Sequence, residues 1–219
     1  MQIGLPTNEN VTVEYKYEFR KKSLYITNYI ERECLKLIKF HSEYFNRIGI
    51  NLNNEDETPY IFNDTLIIPI FFDKVFYDKQ KSKYEFQKYI IQILHSAFQK
   101  AVGLYNIPVN EMLASLDILK DNNFENEWVY KQKIDKIRKL RVELHCSLTI
   151  KEFQLTFIVR KGNETLFKDI VLTTEPDEIA FGYRFKDIQI DNEKIIVTSS
   201  ISGNLLVYSL QNNKIKISR

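Results

Sequence analysis

Two cysteines, Cys34 and Cys146, are too few to staple a chain of 219 residues. A disulfide framework is excluded on that count, and a reducing, cytoplasmic compartment is the expectation. Glycine is equally sparse. The six glycines, at 4, 49, 103, 162, 182 and 203, never take the spacing of a dinucleotide fingerprint or a phosphate loop. GxSxG, HExxH and CxxC are also missing, which removes the common serine-hydrolase, zinc-protease and thiol-redox signatures. No cofactor and no metal site is expected. No apolar run approaches the ~18 residues that mark a membrane span. Met1 to Asn10 has neither the basic nor the apolar part of a signal peptide, so none is expected. An excess of one charge is absent too: 31 basic against 29 acidic residues leave +2. Such a balance sets up no whole-molecule field for nucleic acid, although a local patch could still act.

What is present is apolar and aromatic. Hydrophobic residues make up 44%, with 15 Phe and 13 Tyr, enough for a sizeable core. The clearest pattern lies between Ser82 and Pro108. Ser82 and Glu85 have capping-box spacing. Phe86, Tyr89, Ile90, Ile93, Leu94, Ala97, Phe98 and Ala101 then recur at three- and four-residue steps, the helical period. Gly103 suits the left-handed position past the helix end, and Pro108 follows. Tyr84, Ile91 and Val102 widen the stripe, so this helix must be covered on two sides.

Before it, Val11, Val13, Tyr15, Tyr17 and Phe19 alternate with polar residues and predict a half-buried strand. Arg20, Lys21 and Lys22 would form the corner after it. Asn28 and Glu31 again have capping-box spacing. With Ile30, Cys34, Leu37, Ile38, His41, Phe45 and Ile48 they predict a helix from about Tyr29 to Ile48, stopped at Gly49. Tyr60–Phe62 and Thr65–Phe72 read as strands joined at Asn63-Asp64. The second is apolar on both faces. Pro69 lacks a ladder donor, so it should be an edge strand or carry a bulge. Either the protein's own helices or a partner must then cover it.

Asn110 is placed to cap a short helix over Glu111–Lys120, and 121–126 reads as a linker. Over Trp128–Lys139, the spacing of Tyr130, Ile134 and Ile137 favours helix. From Leu140 to Ile150 the alternation is unbroken, the strongest strand signal in the chain. Phe153–Val159, Leu166–Leu172, Ile179–Phe185, Ile188–Ile190, Ile195–Ile201, Leu205–Leu210 and Ile215–Ile217 continue as strands. Their short connections force antiparallel neighbours. The expected fold is therefore α+β. An antiparallel C-terminal meander of hairpins would carry two long amphipathic helices on one face, in a single domain over 1–219. A division, if any, would fall near 121–126, between 1–122 and 127–219.

Catalytic groups are hard to assemble. His41 lies on an apolar stripe, His95 on a helix rim, and His145 has outward parity while Cys146 points inward. Adjacent strand residues face opposite ways, so these last two form no nucleophile–base pair. Glu55, Asp56 and Glu57 cluster in a surface loop without the glycine and terminal glutamate of a calcium loop. Lys131, Lys133, Lys136, Arg138, Lys139 and Arg141 are the densest basic run and the place where nucleic acid would bind. A solvated face is the preferred reading, since Asp135 interrupts the run and no stacking aromatics accompany it.

The expectation is a non-enzymatic, intracellular protein-binding module, with an inhibitor or antidote such as a bacterial toxin-immunity protein as one form. The alternative is an enzyme or nucleic-acid-binding component without a recognisable motif. Partner contacts are expected at Glu55, Asp56, Glu57, Phe71, Phe76 and Tyr77. There, aromatic anchors would supply binding energy and the acids would steer encounter.

Overall fold

The computed structural model describes residues 2–4, 12–36, 41–53, 57–79, 82–201 and 203–218. The chain divides into two compact units, Met1–Glu125 and Asn126–Arg219. Helices and antiparallel sheets are both present, so the class is α+β.

The first unit holds a four-stranded mixed sheet. Its strands are β1 (Gln2–Gly4), β2 (Arg47–Asn53), β3 (Tyr60–Phe62) and β4 (Thr65–Phe71), in the order β1-β2-β4-β3. β1 and β4 run parallel to β2, and β3 runs antiparallel to β4. Asn63 and Asp64 make the hairpin turn at φ 45° and 57°. Positive φ at both central residues matches strand twist and suits these two residue types.

Around this sheet lie α1 (Val13–Ile30), α2 (Lys74–Asp78), α3 (Lys83–Lys100) and α4 (Val109–Asp121). α3 follows the sequence closely. Ser82 and Glu85 cap each other reciprocally: the Glu85 amide donates to Ser82 Oγ at 3.1 Å, and the Ser82 amide to Glu85 Oε2 at 2.9 Å. Ile90, Ile93, Leu94, Ala97 and Phe98 are buried, and the helix packs on β4 and α4. Gly103 takes φ +75° just past its end, the left-handed conformation where a side chain would strain. α4 starts two residues earlier than it would with Asn110 as its cap. Pro108 stands at the cap position without a side-chain bond, and Asn110 is exposed.

Two expectations fail in the first unit. Residues 13–30 form a helix, not a strand and a corner. Thr12 caps it, accepting from the Tyr15 amide at 3.2 Å. Along the alternating run only Phe19 is buried; Val13 and Tyr17 are exposed. The buried set Phe19, Tyr25, Ile26, Tyr29 and Ile30 has helical spacing. Val11 lies outside the described residues. Where a helix is expected over Tyr29–Ile48, the described residues form the end of α1, a π-helical segment over Glu31–Leu35, and then β2; Leu37 and Ile38 lie outside the described residues. Ile48, Ile50 and Leu52 are buried at every second position, a period of two hidden behind the apolar residues upstream. Gly49 is no helix stop. It sits mid-strand opposite Ile67, whose Cδ1 would lie 3.3 Å from an added Cβ.

The second unit is a stack of two antiparallel sheets. The first, in sequence order, is β5 (Glu127–Asp135), β6 (Leu140–Leu148), β7 (Phe153–Lys161) and β8 (Glu164–Thr174). The second runs β12-β11-β10-β9, from β9 (Asp187–Ile190), β10 (Lys194–Thr198), β11 (Asn204–Ser209) and β12 (Ile215–Ile217). Val142, Leu144, Cys146 and Leu148 on β6 are buried. Tyr208 of β11 meets Phe157 and Phe167 at ring distances of 5.8 and 5.2 Å, joining the sheets.

Here too the sequence misleads twice. Trp128–Lys139 is β5 and a turn, not a helix. A bulge at Tyr130 shifts the register between Val129 and Lys131, which breaks the period-two signal. Ile134 and Ile137, which carried the helical spacing, are exposed. Ile179–Phe185 holds a short helix, α5 (Glu178–Phe181), where a strand is expected. Asp177 caps it through the Ile179 amide at 3.0 Å. Phe181 and Phe185, four apart, both stack on Phe153 at 3.9 and 5.7 Å.

Candidate binding surface

β4 is the strand that the sequence shows to be apolar on both faces, and the two faces meet different fates. Leu66, Ile68, Ile70 and Phe72 are buried. On the opposite face, register places Thr65 beside Phe62 and Ile67 beside Tyr60. Phe62 is 63% exposed, Phe71 59% and Tyr60 42%. One face is therefore core; on the other, Pro69 is buried, while three large aromatics, Tyr60, Phe62 and Phe71, are exposed.

The edge expected from Pro69 is corrected in part. β4 lies inside the sheet, paired with β2 along its whole length. β3, however, pairs only with Thr65–Ile67, so among the described residues no strand pairs with Ile68–Phe71 on that side. The Phe72 amide donates to Asn53 O at 2.8 Å, so alternation turns the Pro69 nitrogen away from β2. The proline sits where a donor would find no strand to receive it. Its carbonyl is occupied, accepting from Lys100 Nζ at 3.0 Å.

Directly after β4, Asp73 accepts from the Phe76 amide at 2.9 Å and starts α2. This one turn of helix exposes Val75 (66%) and Phe76 (46%). Tyr77 points the other way. Its ring packs against Tyr15, Phe19, Phe72, Phe86 and Tyr89 at 5.4–5.9 Å. Phe76 rests on Tyr89 at 5.4 Å. Edge-to-face and tilted pairs of this kind add stability beyond area burial. The exposed tip thus stands on a rigid aromatic base. Tyr15 donates from its hydroxyl to Asp78 Oδ1 at 2.8 Å, and Lys74 bonds the other oxygen at 2.5 Å. Burial first, and neighbouring acids second, push Tyr77 and Tyr89 up to about 12. Tyr15 is raised further, by burial and then by its bond to Asp78. The Lys74 bond, with that of Tyr15, holds Asp78 below the usual carboxylate range.

The structure therefore brings Phe71 and Phe76 to the surface and turns Tyr77 inward as their support. Glu57 is exposed. Glu55 and Asp56 lie outside the described residues. Sequence reasoning missed Val75, Tyr60 and Phe62. The signal for the last two was the period-two parity of the 60–67 hairpin, which assigns them to the face of Phe71.

In the second unit the basic run is largely spent on the protein itself. Lys131 pairs with Asp187 at 2.9 Å, and Lys133 donates to Ile188 O at 3.0 Å. Arg138 binds Asp135 at 2.6 Å and the Asp191 carbonyl at 2.5 Å. These bonds tie β5 and its turn to β9. Arg141 pairs with Glu143 at 3.0 Å, while Lys136 and Lys139 are exposed in the turn. Glu143 has the outward parity of its strand, yet its side chain is only 8% exposed. His145 Nε2 lies 3.2 Å from it and Arg160 Nε 3.8 Å.

His145 is half-buried and Cys146 buried, as parity demands. His95 is exposed at its helix rim. His41, expected on an apolar stripe, is exposed because the helix that would have carried it is not there. Cys34 is buried on the π-helical segment and Cys146 on β6, both as free thiols. Among the described residues no group of three or more His, Cys, Asp or Glu could hold a metal ion, and no helix is long and apolar enough to cross a membrane. No protein-family model, curated protein or solved structure matches the chain.

Proposed function

We propose that the chain is a non-enzymatic protein-binding module that docks through Tyr60, Phe62, Phe71, Val75 and Phe76. One observation supports this above the others. Phe62 and Phe71 stand exposed on a single face of the 60–71 hairpin, with Val75 and Phe76 exposed directly after it. Aromatic side chains on a rigid base bind with little loss of conformational freedom. Glu57, at the foot of the hairpin, would steer encounter rather than hold the complex. An inhibitor or antidote, of the kind toxin-immunity proteins are, suits such a preformed surface, which has no ordering cost to meet on binding.

Photo-crosslinking from position 76 in native cells tests the reading. A discrete protein adduct at position 76, with none from an identical probe at the exposed Ile137, is the expected result. Adducts from 137 but not from 76, or from neither, would rule the surface out.

A further inference from the structure

The face of the β5–β8 sheet opposite Val142, Leu144 and Cys146, where Glu143 and Ile158 are buried and Arg141 is exposed, carries an arrangement that packing alone does not call for. Register sets Ile134, Arg141, Arg160 and Thr165 side by side in one row across the four strands. The next row is Gln132, Glu143, Ile158 and Lys168, and the one after it Val129, His145, Thr156 and Ile170. Arg141 and Arg160 are thus directly opposed, a like-charge pair that ordinarily destabilises a sheet. Glu143 is the only acid in these three rows. Its carboxylate takes Arg141 Nε on Oε1 at 3.0 Å and lies 3.8 Å from Arg160 Nε through Oε2, with His145 Nε2 at 3.2 Å.

A buried carboxylate needs a partner, and one guanidinium would suffice. Here it has two, and the second is poorly used. Arg160 Nε is buried without a hydrogen-bond partner, while its Nη1 donates to Thr165 Oγ1 at 2.6 Å. Arg141 spends only Nε on Glu143 and is 47% exposed. One negative charge therefore stands between two guanidiniums, Arg141 bonded to it and Arg160 held by Thr165, and leaves a surplus of positive charge, with Lys168 adding to it. A dianionic oxyanion matches that surplus and the planar donor forks better than a single carboxylate, which Glu143 already provides.

We propose that Arg141, positioned by Glu143, and Arg160, positioned by Thr165, bind a phosphate group, either free or as a small-molecule monoester. Exposed Ile134 beside Arg141 gives an apolar contact to the organic part of a monoester.

The test is calorimetric titration of the full chain with inorganic phosphate and with phenyl phosphate, at ionic strength matched with sodium chloride. Saturable binding is expected, tighter for phenyl phosphate. Equal affinities would assign the site to free phosphate. Arg141→Lys and Arg160→Lys keep the charge but lose the fork, and each should weaken binding about tenfold. Lys136→Gln, which removes a charge from the nearby turn, should change nothing. Thermal melts confirm that each variant is folded. Absence of saturable binding beyond the chloride control, or lysine variants that bind like the wild type, would overturn the proposal.

Discussion

Lys100, in the last turn of α3, donates to the carbonyl of Pro69, 3.0 Å away on β4. At that point on the side of β4 that β3 leaves unpaired, the proline cannot donate and its acceptor is already taken. An edge so treated resists strand addition by another chain. Lys100→Met should cost about 1.5–3 kcal/mol, the range for a hydrogen bond involving a charged group. Urea titration measures it, and a loss within experimental error would mean the contact does not secure the edge.

Burial sets the second expectation. Ile93 and Leu94 are 4% and 0% exposed on α3, and Ile137 is 95% exposed in the turn after β5. Ile93→Ala or Leu94→Ala should destabilise the fold by about 2–5 kcal/mol. Ile137→Ala should stay within about 0.5 kcal/mol. Denaturant midpoints for the three variants, compared with the wild type, check both claims.

How far the sequence could be read follows from these elements. α3 was legible because its cap, stripe and stop agree, and β6 because its alternation is unbroken. The hairpin over 60–71 was legible from Asn63-Asp64 and its strands. The misreadings share a cause: short windows where two periods fit. Val13, Tyr15, Tyr17 and Phe19 alternate, but only Phe19 reaches the core, through helical spacing with Ile26 and Ile30. Phe45 and Ile48 continue a helical stripe by accident, ahead of the true period of two in β2. Tyr130 is itself the bulged residue of β5, so its four-residue step to Ile134 is no helical period. For the candidate surface, Phe71 and Phe76 could be named from sequence, whereas Tyr77 required the positions of α1 and α3. The Glu143 cluster could not be foreseen, because burial of an outward-facing acid depends on residues from two neighbouring strands.

The two thiols should be inert in the native protein. Cys34 and Cys146 are each 1% exposed, and burial pushes the Cys34 thiol above its ordinary value, which lowers its thiolate fraction. Labelling by a thiol reagent should appear only as the chain unfolds. Fast modification of either in native buffer would contradict the core assignments.

The tyrosine base of the surface makes alkaline stability the next readout. Tyr77 and Tyr89 ionise at about 12 in the fold, against about 10 in an unfolded chain. The folded state holds these protons more tightly, so their contribution is complete below pH 10 and is lost as the pH rises toward 12. Stability should fall across that window, and Tyr77→Phe should make the fall shallower. A spectrophotometric tyrosinate titration that shows both groups ionising near 10 in the native state would contradict this.

The affinity of the partner captured from position 76 bears most directly on the protein-binding account. Its dissociation constant should be measured for the wild type, Phe76→Ala and Ile137→Ala, all confirmed as folded. Phe76→Ala should weaken binding by more than about 1 kcal/mol, roughly fivefold or more, with Ile137→Ala unchanged. Equal affinity for all three would contradict the assignment of the binding surface.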